Sequence, residues 1–357
     1  IPELSKCEPR APFRMVYREL SRFGYIQDSP SLQDTECSMI IVKSPMRISF
    51  FGGSTDYESF YKEHGSFVIG TTIDKYIWLS ARYRPKILPK EYYIGYSKAE
   101  TVPSVDDIQN PLIREVLRYH GVRNPIDFTS LADIPSRTGL GGSSSFCAGM
   151  VHLMNSLDGK SISKKDIAKT AIHIERNILK DSGGIQDQIW AAYGGLNTIT
   201  IKKNGDFTVK PIPVSDAFKR KLEDSIVLIY TNGQRDQDAI AQSHENKDKK
   251  KILELARRAY KAFLREDIKE IGALLLEAWN EKRKISPLIS TKKIDNMADR
   301  VMTMGAYGVK LLGSGGCGFL MALCSPEVKK KIQKEFKKDI LDFKFENRGT
   351  SVVYPTE

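Results

Sequence analysis

The sequence predicts an α+β chain of two domains, and three observations carry that expectation. Its 357 residues exceed what a single core fills efficiently. Strand-like and helix-like stretches arrive in blocks, with β-branched and aromatic runs first and helical periodicity later. The texture changes near residue 210, beyond which one strand is followed by three helical patterns. The domains are accordingly placed at 39–208 and 209–357.

The elements follow in order. Residues 1–38 show no sustained period, several Pro and Ser breaks and near-balanced charge. They read as a leader outside the fold: an appended or reading-frame extension, a disordered segment, or a true N-terminal arm. Met39 opens IIVKSPMRISFF, and SFVIGTTIDKYIWLSARY follows, both strands. PLIREVLRYHG is a short helix between Pro111 and Gly121. At 135–150 the glycine- and serine-rich PSRTGLGGSSSFCAGM runs directly into a buried helix. KKDIAKTAIHIERNILK (164–180) is an amphipathic helix whose apolar face is Ile167, Ala171, Ile174 and Ile178. It ends in the glycine turn DSGGIQDQ, and YGGLNTITIKK returns to strand. SIVLIYTN (225–232) is a strand, and helices are expected over about 237–265, 268–285 and 291–304. YGVKLLGSGGCGFLMALC reads as strand, glycine loop, strand; EVKKKIQKEFKK as helix; LDFKFEN and TSVVY as short strands.

Composition narrows the function. No apolar stretch nears about 18 residues and no basic-then-apolar leader is present, so neither a membrane partner nor a secretory signal is expected. Five cysteines (Cys7, Cys37, Cys147, Cys317 and Cys324) form no CxxC pair, which points to reduced thiols in a cytoplasm. The net charge of +11 admits nucleic acid or an anionic small substrate. Its densest runs, KDKKK (247–251) and KKKIQKEFKK (329–338), have acidic residues among or near them and do not interleave aromatics or glycines in the way single-strand binders do, so they read as solvated helix faces. No nucleic-acid partner is therefore expected. The five histidines have no zinc-site spacing, and no serine has a histidine relay.

Phosphate motifs need context. Gly159-Lys160-Ser161 ends like a Walker loop, but Met154 stands where its first glycine must be. Gly313 to Gly318 satisfies GxGxxG, yet a strand follows where a dinucleotide fold needs a helix. The 135–150 segment has the right setting. Gly139, Gly141 and Gly142 let backbone approach a ligand, and Ser143, Ser144 and Ser145 occupy a helix's first turn, where free N–H groups favour an anion. An ordinary capped helix with a flexible entry is the plainer alternative.

Three segments in order resemble the motifs of the GHMP kinases, the family of galactokinase and of homoserine, mevalonate and phosphomevalonate kinases. They are SPMRISFFGGSTDY (44–57), PSRTGLGGSSS (135–145) and GAYGVKLLGSGGCG (305–318), and the resemblance spans residues 39–357. Within the family the chain looks most like the D-glycero-α-D-manno-heptose 7-phosphate kinases. The resemblance implies an N-terminal domain like the second domain of ribosomal protein S5 and a ferredoxin-like C-terminal domain. It implies ATP and Mg2+ as cofactors, and transfer of the γ-phosphoryl to the C1 hydroxyl of a heptose 7-phosphate for surface-polysaccharide (lipopolysaccharide) biosynthesis. The partners would be that sugar phosphate and ATP, in a monomer or homodimer.

Carried over residue by residue, Pro135, Gly139, Leu140, Gly141, Gly142, Ser143, Ser144 and Ser145 would hold ATP. Ser143 and Glu175 would hold magnesium. Asp187 would be the general base with Arg47 as its partner; independently, an arginine inside an apolar strand seldom lacks one. Thr55, Asp56 and Tyr57 would bind the sugar, with Gly313, Ser314, Gly315 and Gly316 closing the cleft over the substrate. There are departures. Gly142 replaces a serine, Ser49 an asparagine, and Gly53-Ser54 a glutamate-histidine pair, which counts against galactose. Arg235 and Lys282-Arg283-Lys284 are candidates for a substrate phosphate, although a solvated helix end explains the latter run equally. The rival readings are another GHMP sugar kinase (fucose, galactose or a uronate) and a non-catalytic nucleotide or nucleic-acid binder.

Overall fold

A long antiparallel pair, β1 (Ile40–Phe51) and β2 (Ser66–Tyr83), is the spine on which the rest assembles. The computed structural model describes residues 39–136, 138–233, 239–240, 243–244 and 247–354. The leader and Arg235 lie outside them. β1 breaks register at Pro45/Met46 and again at Ser49/Phe51. Proline has no N–H to give the ladder, so a bulge is where a strand accepts it. The second break delivers the chain into the turn Gly52–Tyr57, ahead of α1 (Glu58–His64). Gly52 is obligatory there: its φ is +79°, and a Cβ would lie 2.0 Å from the Phe67 carbonyl oxygen.

Onto this pair are added β3 (Tyr92–Gly95), β4 (Ala99–Val102) and, after α2 (Pro111–Tyr119), β5 (Ile126–Ala132). α3 (Gly142–Leu157) packs across β1 and β2, and Gly149 lets it sit close, where a Cβ would lie 2.6 Å from Leu79 Cδ1. α4 (Lys164–Ile172) and α5 (Gln186–Tyr193) follow, then β6 (Asn197–Ile201) and β7 (Phe207–Pro211). The chain then builds a second sheet with α6 (Asp216–Asp224), β8 (Ile226–Tyr230), α7 (Lys250–Leu264), α8 (Ile268–Arg283), α9 (Lys292–Thr303), β9 (Gly308–Leu311), β10 (Phe319–Leu323), α10 (Pro326–Glu335) and β11 (Ile340–Leu341). β12 (Phe345–Glu346) and β13 (Ser351–Tyr354) return to the first sheet, on β2 and β1.

The first sheet runs β13-β1-β2-β5-β3-β4, with β6 and β7 extending from the start of β2. The second runs β11-β8-β10-β9, all antiparallel. The α+β expectation is met. Two expected helices are corrected. The single pattern expected over about 237–265 is interrupted: 239–240 are helical, 243–244 and 247–249 are not, and α7 begins at Lys250. The helix expected over 164–180 widens to a π turn at His173–Ile178, where Leu179 N–H donates to Ile174 O. The wider turn shifts the inward face: Glu175 is buried, and Ile178, expected in the core, is 37% exposed. QDQ, read as the end of the glycine turn, and Tyr193, read as the start of the returning strand, are the two ends of the helix α5.

α8 is pressed against the second sheet through two glycines. A Cβ on Gly272 would fall 2.3 Å from Tyr307 Cβ, and one on Gly308 would fall 1.9 Å from the Gly272 carbonyl. Gly272→Ala is therefore expected to lower unfolding free energy by about 1–3 kcal/mol, the usual cost of overpacking, as read by denaturant titration. An unchanged midpoint would show that α8 can lift away at no cost.

Candidate active site

The glycine- and serine-rich segment takes its shape from two left-handed glycines. Gly139 (φ +80°) and Gly141 (φ +75°, the N-cap of α3) turn the chain so that the first N–H groups of α3 are left without helical partners. Leu140 is buried, and its carbonyl accepts from Arg47 N–H (2.9 Å). Ser145 Oγ donates to Pro45 O (2.8 Å), fastening the helix start to β1; that hydroxyl is spent on the fold. Ser143 is exposed, while Ser144 is buried beneath it. Pro135 is exposed at the entry, where its carbonyl accepts from Thr138 Oγ1 (3.2 Å). Gly142 has room for a side chain, since a Cβ there would meet only Met46 Cε at 3.8 Å.

The 313–318 loop rests directly on this cradle. Gly139 and Gly313 meet backbone to backbone, a Cβ on Gly139 falling 2.5 Å from Leu312 O, and Phe319 N–H donates to Thr138 O (3.2 Å). Gly315 and Gly316 are held against Ile289.

Arg47 joins three parts. Its Nε and Nη2 donate to Asp187 Oδ1 (2.8 Å) and Oδ2 (2.6 Å), and Nη1 donates to the Gly139 carbonyl. Asp187 stands in the first turn of α5, and a buried carboxylate fixes where that turn begins. Asp56 is wholly buried and accepts from Ser54 N (3.0 Å), Gln186 N (3.1 Å) and Gln186 Nε2 (3.1 Å). Gly184 makes this wrap possible, because a Cβ there would lie 1.8 Å from Asp56 Oδ2. Burial, with the Asp187 charge adding, raises the Asp56 carboxyl above its ordinary value.

Of the other sugar-motif residues, Thr55 is spent inside the turn, its hydroxyl bonded to Gly52 O and Ser66 Oγ (both 2.6 Å). Tyr57 stacks on His244 at 5.7 Å, with Lys249 Nζ 4.6 Å from its ring centre. Glu175 is buried behind Ser143. Its Oε1 accepts from Ser143 Oγ (3.3 Å) and its Oε2 from Gln188 Nε2 (2.5 Å). Burial pushes its carboxyl up; Arg176, Gln188 and Ser144 oppose that. Among the described residues no cluster of three or more His, Cys, Asp or Glu side chains could hold a metal. A hydroxyl, one buried carboxylate and the orphaned Gln188 Oε1 beside it make an oxygen-only set. That fits Mg2+, which takes one or two carboxylates plus phosphate oxygens and water.

Cations enter from the second sheet. Lys310 is buried on β9 and donates to Ser49 O (2.8 Å) and Phe50 O (2.7 Å), and burial holds its ammonium well below the usual lysine range. Lys282 is buried at the end of α8, donates to the Gly313 carbonyl, and is lowered to about 8 by burial and by Arg47. Its neighbours are different: Arg283 pairs with Asp295 and Lys284 with Glu281, both exposed. The solvated-helix-end reading holds for those two and fails for Lys282. His244 bridges Ser54 Oγ (Nδ1, 2.9 Å) and the Ser314 carbonyl (Nε2, 2.9 Å). A carbonyl only accepts, so Nε2 carries the proton and Nδ1 accepts from the serine. Burial and Lys282 push the imidazole down to about 3, which keeps it neutral.

Sequence reasoning brought Arg47, Asp187, Ser143 and Glu175 together. It missed Gln186, Gln188, His244, Lys249 and Lys310. Lys310, a lysine within the apolar run YGVKLL, carried the same signal that singled out Arg47.

The geometry can be set beside known proteins. Residues 109–195 match the GHMP kinases N terminal domain, and residues 259–340 match the GHMP kinases C terminal domain. The chain carries both domains of a GHMP kinase. It is accordingly a phosphotransferase with an alcohol acceptor. The chain is similar to the D-glycero-alpha-D-manno-heptose 7-phosphate kinase of Campylobacter jejuni, 27% identical over 87% of this chain and 97% of that protein. It is also similar to the galactokinase of Pyrococcus furiosus, 24% identical over 83% of this chain and 92% of that protein. A crystal structure of a D-glycero-D-manno-heptose 1-phosphate kinase from Bacteroides thetaiotaomicron shares the fold, with a TM-score of 0.74 at 22% identity over 89% of this chain and 100% of that one.

Two substitutions separate tolerance from necessity in this GHMP kinase. Gly142→Ser should leave unfolding free energy within about 0.5 kcal/mol, since space and φ both admit it. Gly184→Ala should cost roughly 100-fold in turnover, because displacing Asp56 by about 1 Å misplaces Gln186 and Asp187 together. Steady-state kinetics alongside thermal melts check both, and an active Gly184→Ala enzyme would refute the wrap.

Proposed function

We propose that this enzyme transfers the γ-phosphoryl of Mg-ATP to the C1 hydroxyl of a heptose 7-phosphate, giving the 1,7-bisphosphate. The observation that carries the kinase chemistry is the Arg47 fork, which binds Asp187 on one side and the phosphate-loop carbonyl of Gly139 on the other. A proton acceptor is thereby tied to the anion cradle, the juxtaposition that in-line phosphoryl transfer needs. Asp187 orients the acceptor hydroxyl and takes its proton. Both of its oxygens are engaged by arginine, which favours an acceptor that loses its proton readily. Anomeric hydroxyls are unusually acidic for alcohols, so C1 suits this base.

Asp56, braced by three N–H donors, is the carboxylate that would read sugar hydroxyls from the turn between β1 and α1. The α3 N–H groups and Ser143 would cradle the triphosphate, with Ser143 and Glu175 holding Mg2+. When bound, the ion neutralises charge on the phosphate oxygens. Support for a heptose phosphate comes from the names of the similar proteins from Campylobacter jejuni and Bacteroides thetaiotaomicron. A place in surface-polysaccharide biosynthesis in the cytoplasm fits the same reading.

The test is a panel of heptose 7-phosphate, fucose, galactose and a uronate in a coupled ADP-release assay, with phosphorus NMR showing which hydroxyl is esterified. Heptose 7-phosphate should give the highest kcat/KM, and no turnover of it would sink the assignment. Asp187→Asn should lower turnover by roughly 10²–10⁴-fold and leave ATP affinity nearly intact. Unchanged turnover would move the proton acceptor elsewhere.

A further inference from the structure

Lys282 has no part in the chemistry described so far, yet its position is costly. It is one of three lysines buried among the described residues, at the end of α8, and burying an ammonium is expensive unless an anion meets it. Its surroundings contain carboxylates, but these are already served. Asp56 has three N–H donors, and Asp187 has both oxygens on Arg47. Lys282 makes one hydrogen bond among the described residues, to the Gly313 carbonyl. An ammonium has three N–H bonds, and the described residues account for one of them. The other buried cation from the second sheet, Lys310, is occupied by two β1 carbonyls.

The anchor gives the direction. Gly313 lies backbone to backbone on Gly139 of the phosphate cradle, and the charges felt at Lys282 are those of Arg47, Asp56 and Asp187. The ammonium is thus held on the seam between the cradle and the proton acceptor. We infer that Lys282 is a further catalytic residue, whose ammonium binds the phosphoryl group in transit from ATP to the acceptor hydroxyl. This rests on the kinase reading above. In the step, the bond from the γ-phosphorus to the β,γ-bridging oxygen breaks and its electron pair leaves with ADP. The acceptor oxygen forms the new bond to phosphorus, and its proton goes to Asp187. Lys282 exchanges no proton; it offsets the charge on the non-bridging oxygens, as an arginine finger does elsewhere.

The groups facing Lys282 are Arg47 from β1, Asp56 from the turn after it, Asp187 from α5, His244 and Lys310 from β9. Burial and the like charge of Arg47 bring its titration to about 8, against the pull of the two carboxylates. His244 is neutral throughout the working range, and phosphate groups are fully ionised by then. Lys310 is also lowered by burial, so the alkaline limb of kcat/KM is given to Lys282 by whether Lys282→Arg moves it.

The experiment uses the full chain, Lys282→Met and Lys282→Arg, with whichever acceptor the wild type phosphorylates best. Lys282→Met should lower kcat by roughly 10²–10³-fold, with the Kd for AMPPNP changed less than about threefold. Wild-type kcat/KM should fall above about pH 8. In Lys282→Arg, which keeps the charge even if the methionine variant fails to fold, that limb should move beyond about pH 10. A kcat within threefold of wild type in Lys282→Met overturns the inference, as does an unmoved alkaline limb in Lys282→Arg. A defect confined to KM for a phosphorylated acceptor, and absent with its unphosphorylated counterpart, also overturns it by giving the lysine to the acceptor's own phosphate. Wild-type preference for another sugar sinks only the heptose assignment, since the lysine comparison runs on any acceptor.

Discussion

Everything in the site is arranged around one buried guanidinium. Arg47 is 5% exposed, and a charge so placed must find partners on all sides or be expelled. It finds a carboxylate from α5, a carbonyl from the glycine-rich loop before α3 and, through its backbone N–H, a second carbonyl from the same loop. Removing it would free three elements at once. Its planar fork also fixes angles, which a lysine's flexible ammonium would not. The strand that carries Arg47 is irregular for a reason: the breaks at Pro45/Met46 and Ser49/Phe51 flank it, so the side chain is aimed by bulges on both sides.

Two departures from regular backbone do comparable work elsewhere in the first domain. The π turn at 173–178 spends one residue of helical register to turn a carboxylate inward behind Ser143. The Gly183–Gly184 turn forgoes side chains so that the backbone can close around Asp56. In both places the regular structure would be more stable locally, and in both the irregularity is where a charged group needs to be. The second sheet contributes differently, through rigid contact. Gly272 and Gly308 set α8 hard against β9, and the Gly313–Gly139 contact then fixes Lys282 relative to the cradle.

The legible part of this molecule was the part with local causes. Strands declared themselves by β-branched runs, the cradle by its glycines, and Arg47 by its incongruity in an apolar strand. α5 escaped because QDQIWAAY is short, hemmed by glycines and lacks a side-chain N-cap. Ile178 was placed in the core because period alone cannot foresee a π turn. Lys249 lay inside KDKKK, read as a solvated helix face, yet it is buried and outside any helix; its role and that of His244 are created by Tyr57, Ser54 and Ser314 arriving from far along the chain. Lys282 lay inside a basic run whose two other members are ordinary surface residues, so only tertiary packing separates it from them.

The return of β13 to the edge of β1 bears on how the chain is made. Lys43 and Glu346, which bond across the returning segment, are 303 residues apart. Until translation has carried the chain past the whole second sheet, the β1 edge has no strand to cover it. Contacts of such separation close late and slowly. The first sheet therefore cannot close as it emerges, and the β1 edge stays open until β13 has been made.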